Sequence, residues 1–178
     1  MKEEIKVLIG EEQLLARIRE LADQINQDYA GKEVFLLCIL KGSVYFTCEL
    51  SKYLKMPVKL GFMSVTSYGD RLTSSGAVTV NGSTDLDVKE KHVIIVEDIV
   101  DTGRTLSFLY HMLAKKKPAS LRLCSLIDKP DRRVSEVKLD YLGFEVPDVF
   151  IVGFGMDYAQ RYRNLPYIGE LVFKEDRE

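Results

Sequence analysis

Residues 93–106 read Val-Ile-Ile-Val-Glu-Asp-Ile-Val-Asp-Thr-Gly-Arg-Thr-Leu, and no other stretch limits the possible folds of this chain so sharply. The β-branched run at 93–96 predicts a strand buried on both faces. Two adjacent carboxylates, Glu97 and Asp98, stand at its carboxyl end. A short Asp101-Thr102-Gly103 turn follows, and helical spacing begins at Arg104. In an open α/β sheet ligands bind at the carboxyl ends of strands, where a helix amino terminus offers free N–H groups to an anion. The stretch thus predicts a site for a phosphorylated, metal-associated ligand. A Walker-type loop is excluded, because Gly-x-x-x-x-Gly-Lys-Ser/Thr does not occur, and Gly153-Phe154-Gly155 lacks the third glycine of a dinucleotide fingerprint.

The rest of the pattern repeats strand and helix. Apolar residues at helical spacing across 11–29 predict a surface helix stopped by Gly31. Residues 34–40 are continuously apolar and run into Lys41-Gly42-Ser43, so a second strand ends in a ligand-sized turn. Residues 43–54 have helical spacing, 58–67 suit a strand, and 68–84 are rich in Gly, Ser, Thr, Asn and Asp, the composition of a lid or binding loop, with Val78-Thr79-Val80 as a short ribbon. Strands are expected at 121–127 and 167–172, with short apolar segments at 141–146 and 150–154. The alternation predicts an α/β fold: a mostly parallel central sheet flanked by helices, a small hood subdomain and a flexible lid loop. We expect one domain over 1–178, the hood formed by parts of the N-terminal segment and about 138–178.

Composition removes several classes. With 25 Lys+Arg against 27 Asp+Glu there is no basic footprint for nucleic acid, and no apolar run approaches bilayer length, so we expect a cytoplasmic protein with neither nucleic-acid nor membrane partners. The lysine run 115–117 suits a helix carboxyl terminus. The three cysteines, Cys38, Cys48 and Cys124, lie far apart among apolar residues and read as buried free thiols. His92 and His111 have no ligand-like neighbours in sequence.

The stretch at 93–106 resembles the phosphoribosyl pyrophosphate (PRPP) motif of type I phosphoribosyltransferases. Leu40-Lys41-Gly42-Ser43, Ser67-Tyr68-Gly69, Val137-Lys138, residues 143–148 and residues 150–158 are similar, in the same order, to segments of the hypoxanthine-guanine members. Arg104 stands where many members carry Lys. The resemblance implies transfer of a phosphoribosyl group from PRPP to a 6-oxopurine, with Mg²⁺, by a homodimer or homotetramer. It further implies that Glu97 and Asp98 meet the ribose hydroxyls and metal, that Asp101 handles the purine N7 proton, and that Thr102, Gly103, Arg104 and Thr105 cradle the 5′-phosphate.

By the same resemblance Lys41, Gly42 and Arg163 take the pyrophosphate, and the Lys41-Gly42 peptide can be cis. Lys138 reads the 6-oxo group, Phe150 stacks on the base, and Ile151 offers a backbone carbonyl to its exocyclic edge. Asp157 lies by the purine and is a ligand of a second metal through the pyrophosphate side, beside the metal of Glu97 and Asp98, and Ser67 and Tyr68 belong to the lid. A xanthine-preferring enzyme and a PRPP-binding regulatory protein on the same scaffold are the alternatives; the latter calls for a basic face that this composition lacks.

Overall fold

The computed structural model describes residues 2–67, 78–81 and 86–174. In chain order the elements are β1 (Lys2–Ile9), α1 (Glu11–Asp28), β2 (Val34–Leu40), α2 (Val44–Ser51), β3 (Val58–Ser67), β4 (Val78–Asn81), β5 (His92–Val100), α3 (Arg104–Ala114), β6 (Ser120–Asp128), a 3-10 turn (Pro130–Arg132), β7 (Tyr141–Glu145), β8 (Ile151–Val152) and β9 (Ile168–Lys174). They form a six-stranded sheet in the order β4-β3-β2-β5-β6-β7 and a three-stranded sheet β1-β9-β8. In the larger sheet β3, β2, β5, β6 and β7 are parallel, and β4 runs antiparallel along the β3 edge.

The continuous apolar strands are explained by burial on both sides. In β5, Ile94 and Val96 face a core completed by Leu14, Ile18 and Leu21 of α1 and by Phe46 and Leu50 of α2. Val93 and Ile95 face a second core with Leu106, Leu109 and Leu113 of α3. Each fully buried Leu or Ile contributes about 1.5–3 kcal/mol relative to exposure, so changing a single face residue to a charge would break the layer.

The strand order places the ligand crevice. From β2 the chain turns to β3 on one side, while β5 lies on the other. The carboxyl ends of β2 and β5 therefore adjoin at a switch point, the place where open α/β sheets bind their ligands.

The smaller sheet is the hood. Its β1 is a strand of mixed lysines and glutamates from the N-terminal segment: Lys2 pairs with Lys174 and Ile5 with Leu171, and most of the strand's side chains stay solvent-accessible. Ile9, Ile151, Phe154, Met156 and Ile168 of this region share the buried cluster of α1 and Leu36.

Two further departures are local. The second helix is shorter than residues 43–54, because Tyr53 and Leu54 donate back to Leu50 and Ser51 in tighter turns. Cys38 and Cys124 are buried free thiols as expected, but Cys48 is exposed, since Phe46, Thr47 and Leu50 take the inward face of α2. Val78-Thr79-Val80 does form a ribbon, β4, on β3. The rest of the expected lid, Tyr68 included, lies outside the described residues; Ser67 ends β3 opposite Val78.

Candidate active site

At the carboxyl end of β5 the side chains alternate, so Glu97 turns inward and is buried while Asp98 is half-buried. Burial, and then the neighbouring Asp98 charge, push the Glu97 carboxyl well above its ordinary value. Two carboxyls so placed crowd like charge together, and among the described residues neither forms an ion pair with a side-chain cation. They fit a dication that brings its own further oxygen ligands, as Mg²⁺ does when it binds a polyphosphate.

The turn beyond is shaped by glycine. Gly103 has φ +79°, in the left-handed region, and a Cβ there would stand 2.5 Å from the Ser135 carbonyl oxygen. It begins α3 with no side-chain cap, leaving first-turn N–H groups for an anion beside Thr102, Thr105 and the exposed Arg104. Thr102 Oγ1 is 3.5 Å from the Arg104 amide, at the limit of a hydrogen bond.

Across the switch point Lys41 is exposed and Gly42 is buried against Asp98. A Cβ on Gly42 would lie 1.6 Å from Asp98 Oδ2, and one on Gly155 would lie 1.9 Å from the Gly42 carbonyl oxygen. Sheet, loop and hood thus meet at backbone distance through two residues without Cβ. The cis peptide of this loop is Leu40-Lys41, one bond before the expected Lys41-Gly42.

The hood brings Asp157 and Arg163 together: Arg163 Nη2 is 2.6 Å from Asp157 Oδ1, and its Nη1 donates to the Gly155 carbonyl at 2.6 Å. The Gln160 amide donates to Asp157 Oδ2 at 2.8 Å. Asp157 is therefore committed to a cation of its own, and among the described residues no three acidic, His or Cys side chains gather as a metal cluster. Glu97 and Asp98 stand together at the end of β5, and Asp157, expected at a second metal, stands apart from them in the hood.

Phe150 is 50% exposed. Its ring meets Tyr158 edge-on at 5.6 Å, and Tyr158 meets Phe173 at 5.5 Å, so an open aromatic face is held by the hood. Ile151 is buried and pairs with Glu170 in β8–β9.

Lys138 is not part of this assembly. It is exposed and lines a cavity of about 250 Å³ with Tyr110 and His111 of α3 and Leu121 and Leu123 of β6. Its neighbours Val137 and Leu139 pack into the α3 core, whereas Val149 and Ile151 pack into the α1 core on the other side of the sheet. The lysine that does reach the aromatic wall is Lys129, at the carboxyl end of β6. It is only 6% exposed, its Nζ donates to the Val149 carbonyl at 2.6 Å, and Asp148 Oδ1 is 3.9 Å away. Burial lowers its pKa, against the opposing pull of the Asp101 and Asp148 charges. The missed signal was Asp128-Lys129 directly after an apolar strand, the same placement that marked Glu97-Asp98.

Asp101 closes the site. Val100 O accepts from the Lys129 amide at 2.9 Å, and Thr102 O accepts from the Val134 and Ser135 amides at 3.0 Å each. Segment 129–135 is thereby stapled to the turn on both sides of Asp101. Within that segment Arg133 pairs with Asp128, whose carboxyl is raised by burial against that cation, and Arg132 Nε lies 3.0 Å from Asp101 Oδ1. The groups expected for ribose phosphate, pyrophosphate and purine thus line one rim, with Lys129 in the place expected of Lys138.

The model of the phosphoribosyl transferase domain family matches residues 9–159. A hypoxanthine-guanine phosphoribosyltransferase of Streptococcus mutans is 46% identical over 171 residues, 96% of this chain and 94% of that protein. A hypoxanthine phosphoribosyltransferase of Haemophilus influenzae is 45% identical over 177 residues, 98% and 99% of the two chains. The crystal structure of a hypoxanthine-guanine phosphoribosyltransferase from Bacillus anthracis superposes with a TM-score of 0.89 at 42% identity, covering 97% of this chain and 100% of that one. A strand end with two acids, a glycine turn, a lysine and an open aromatic ring on the fold of such relatives leave one assignment: the chain belongs to the phosphoribosyltransferase family, on its hypoxanthine-guanine branch.

Proposed function

We propose that the protein is a purine-salvage enzyme that transfers the 5-phosphoribosyl group of PRPP to hypoxanthine or guanine, releasing pyrophosphate and a nucleoside 5′-monophosphate. The observation that carries the reading is that Asp101, just beyond the Glu97-Asp98 strand end, acts on the buried Lys129, whose Nζ donates to the Val149 carbonyl beside Phe150. In it, the turn Thr102, Gly103, Arg104 and Thr105 holds the 5′-phosphate by backbone N–H groups and charge. Glu97 and Asp98 orient the ribose and accept Mg²⁺, which when bound offsets the charge of the diphosphate. Lys41, the Gly42 backbone and Arg163 take the pyrophosphate; Asp157 holds Arg163 in place for it.

Leaving-group departure from C1 develops positive charge on the ribose, so positioning and charge neutralisation supply much of the catalysis. Phe150 stacks on the purine, and the Ile151 backbone carbonyl faces its exocyclic edge. Lys129 donates to the 6-oxo group, a contact that a 6-amino group cannot accept. Asp101 exchanges the purine N7 proton during transfer, and Ser67 and Tyr68 belong to a lid that excludes water. The protein is further proposed to act in the cytoplasm, as one domain with its hood, in a homodimer or homotetramer. No described helix is long and apolar enough to cross a membrane.

The test is purified protein with PRPP and Mg²⁺ and, in turn, hypoxanthine, guanine, xanthine, adenine and uracil, following nucleotide formation. Turnover of hypoxanthine or guanine is expected. Turnover of xanthine alone would reassign the base, and absence of turnover with every 6-oxopurine would overturn the reading.

A further inference from the structure

Arg132 has no role in the reading above, yet it stands within the site between two acidic groups. It ends the 3-10 turn Pro130–Arg132, with its amide on the Lys129 carbonyl at 3.2 Å. The staples described above, at Val100 O and Thr102 O, flank the carboxylate it touches. Its guanidinium has two acidic neighbours on different loops: Nε is 3.0 Å from Asp101 Oδ1, and Nη1 is 3.5 Å from Asp148 Oδ1. Asp148 in turn approaches Lys129 Nζ, and Lys129 donates to Val149 O. Asp101, Arg132, Asp148 and Lys129 therefore form one charged chain from the β5 turn to the loop that carries Phe150.

One link in that chain is poor. Asp101 Oδ1 is shut off from solvent, yet it has no hydrogen bond of acceptable geometry; the Arg132 Nε that stands 3.0 Å away is off line. A buried carboxylate oxygen without an aligned donor is costly, and any ligand N–H that reaches it in line is favoured by the difference. The protonated imidazole edge of a purine is such a donor. The Arg132 contact is thus close enough to fix Asp101 and weak enough to be exchanged.

We propose that Arg132 is a positioning residue that ties Asp101 to Asp148 across the purine entry while the site is empty, and that the incoming purine displaces it from Asp101. The inference rests on the reading that a 6-oxopurine lies between Asp101, Lys129 and Phe150. It deepens that reading by assigning a partner exchange to purine binding and none to PRPP binding. Arg132 and Asp148 are both substantially exposed, so the tie is modest in strength, and its release is worth about two- to five-fold in purine affinity.

The experiment compares the parent enzyme with Arg132→Ala, Arg132→Lys and Asp148→Asn, measuring KM for hypoxanthine at saturating PRPP and KM for PRPP at saturating hypoxanthine. In Arg132→Ala the hypoxanthine KM should fall about two- to five-fold with the PRPP KM unmoved. Asp148→Asn should move it in the same direction, because it frees the other end of the tie. Arg132→Lys, which keeps the charge but not the fork, should return the hypoxanthine KM toward the parent value. A hypoxanthine KM that stays put or rises in Arg132→Ala, or a PRPP KM that moves with it, overturns the proposal while leaving the enzyme reading intact. A parent that turns over no 6-oxopurine overturns both.

Discussion

The two halves of the site are built by different means. The ribose-phosphate half is local in sequence: one strand end, one glycine turn and one helix start, all within residues 97–105, plus the loop after β2. Its parts approach so closely that a side chain is excluded at Gly42 by the Asp98 carboxylate and at Gly103 by the Ser135 carbonyl. The purine half is gathered from β6, the 3-10 turn, the 147–150 loop and the hood, and its charges are matched in a chain: Asp101 with Arg132, Arg132 with Asp148, Asp148 with Lys129. One half leaves an unbalanced acidic pair for a cationic partner to complete. The other arrives internally balanced, so its ligand must exchange contacts that already exist.

Asp101 sits on the seam, and its replacement should have the largest effect. Asp101→Asn keeps the shape of the turn but removes the proton acceptor, and kcat should fall about 10²- to 10⁴-fold while PRPP binding, measured by calorimetry, and the melting temperature persist. Equal kcat would take Asp101 out of the chemistry. Next is the backbone-built half. Gly42→Ala puts a methyl into Asp98 and should cost about 10²-fold in kcat/KM for PRPP, because displacements near 1 Å are expensive in a positioned site. A normal PRPP kcat/KM would show that the close packing there is incidental.

Breaking the purine half should be selective. Lys129→Ala removes a charged hydrogen bond and should reduce hypoxanthine-over-adenine discrimination about 10- to 100-fold, with little change in PRPP KM. Lys138→Ala, on the far side of the sheet, should change neither by more than about twofold, within the range of a surface substitution. The reverse pattern would return the base-reading role to Lys138.

The smallest effect sharpens the contrast in charge balance. Glu97 titrates higher in the folded chain than in the unfolded one, so the folded state holds the extra proton. Its contribution to stability is intact below the unfolded carboxylate value of about 4.3 and is lost as pH rises through the folded value. In chelator at pH 8, Glu97→Gln should therefore melt about 2–4 °C above the parent, and the gain should vanish toward pH 4. A melting point that falls at pH 8 would mean that Glu97 is not under strain in the ligand-free enzyme.

Much of this architecture was legible from local pattern. Residues 34–40 became β2 with the expected bounds, because a strand buried on both faces needs an uninterrupted apolar run, and 58–67 became β3, an apolar and β-branched strand that is largely accessible beside β2. The strand that opens the PRPP stretch went further than 93–96, to Val100, since backbone pairing with Ile127 and Asp128 of β6 carries it past the acidic pair. What escaped was held by distant partners. β1 has lysines and glutamates at positions that only β9 makes sensible. Lys129 escaped because Lys138 has the more family-like setting in sequence, while the parallel-strand ladder that lifts residue 129 to the crevice is a long-range fact. Arg132 escaped because an arginine beside a proline turn has no local signature.

The pairing of β1 with β9 ties the two ends of the described chain to each other and to the wall of the site. β9 takes β1 on one edge and β8 on the other. The Leu171 amide bonds the Phe150 carbonyl, so the open aromatic ring is held by a strand that the first strand of the chain braces from behind. Damage to either end of the chain therefore reaches Phe150 before it reaches the glycine turn at 101–105, which rests on the other sheet.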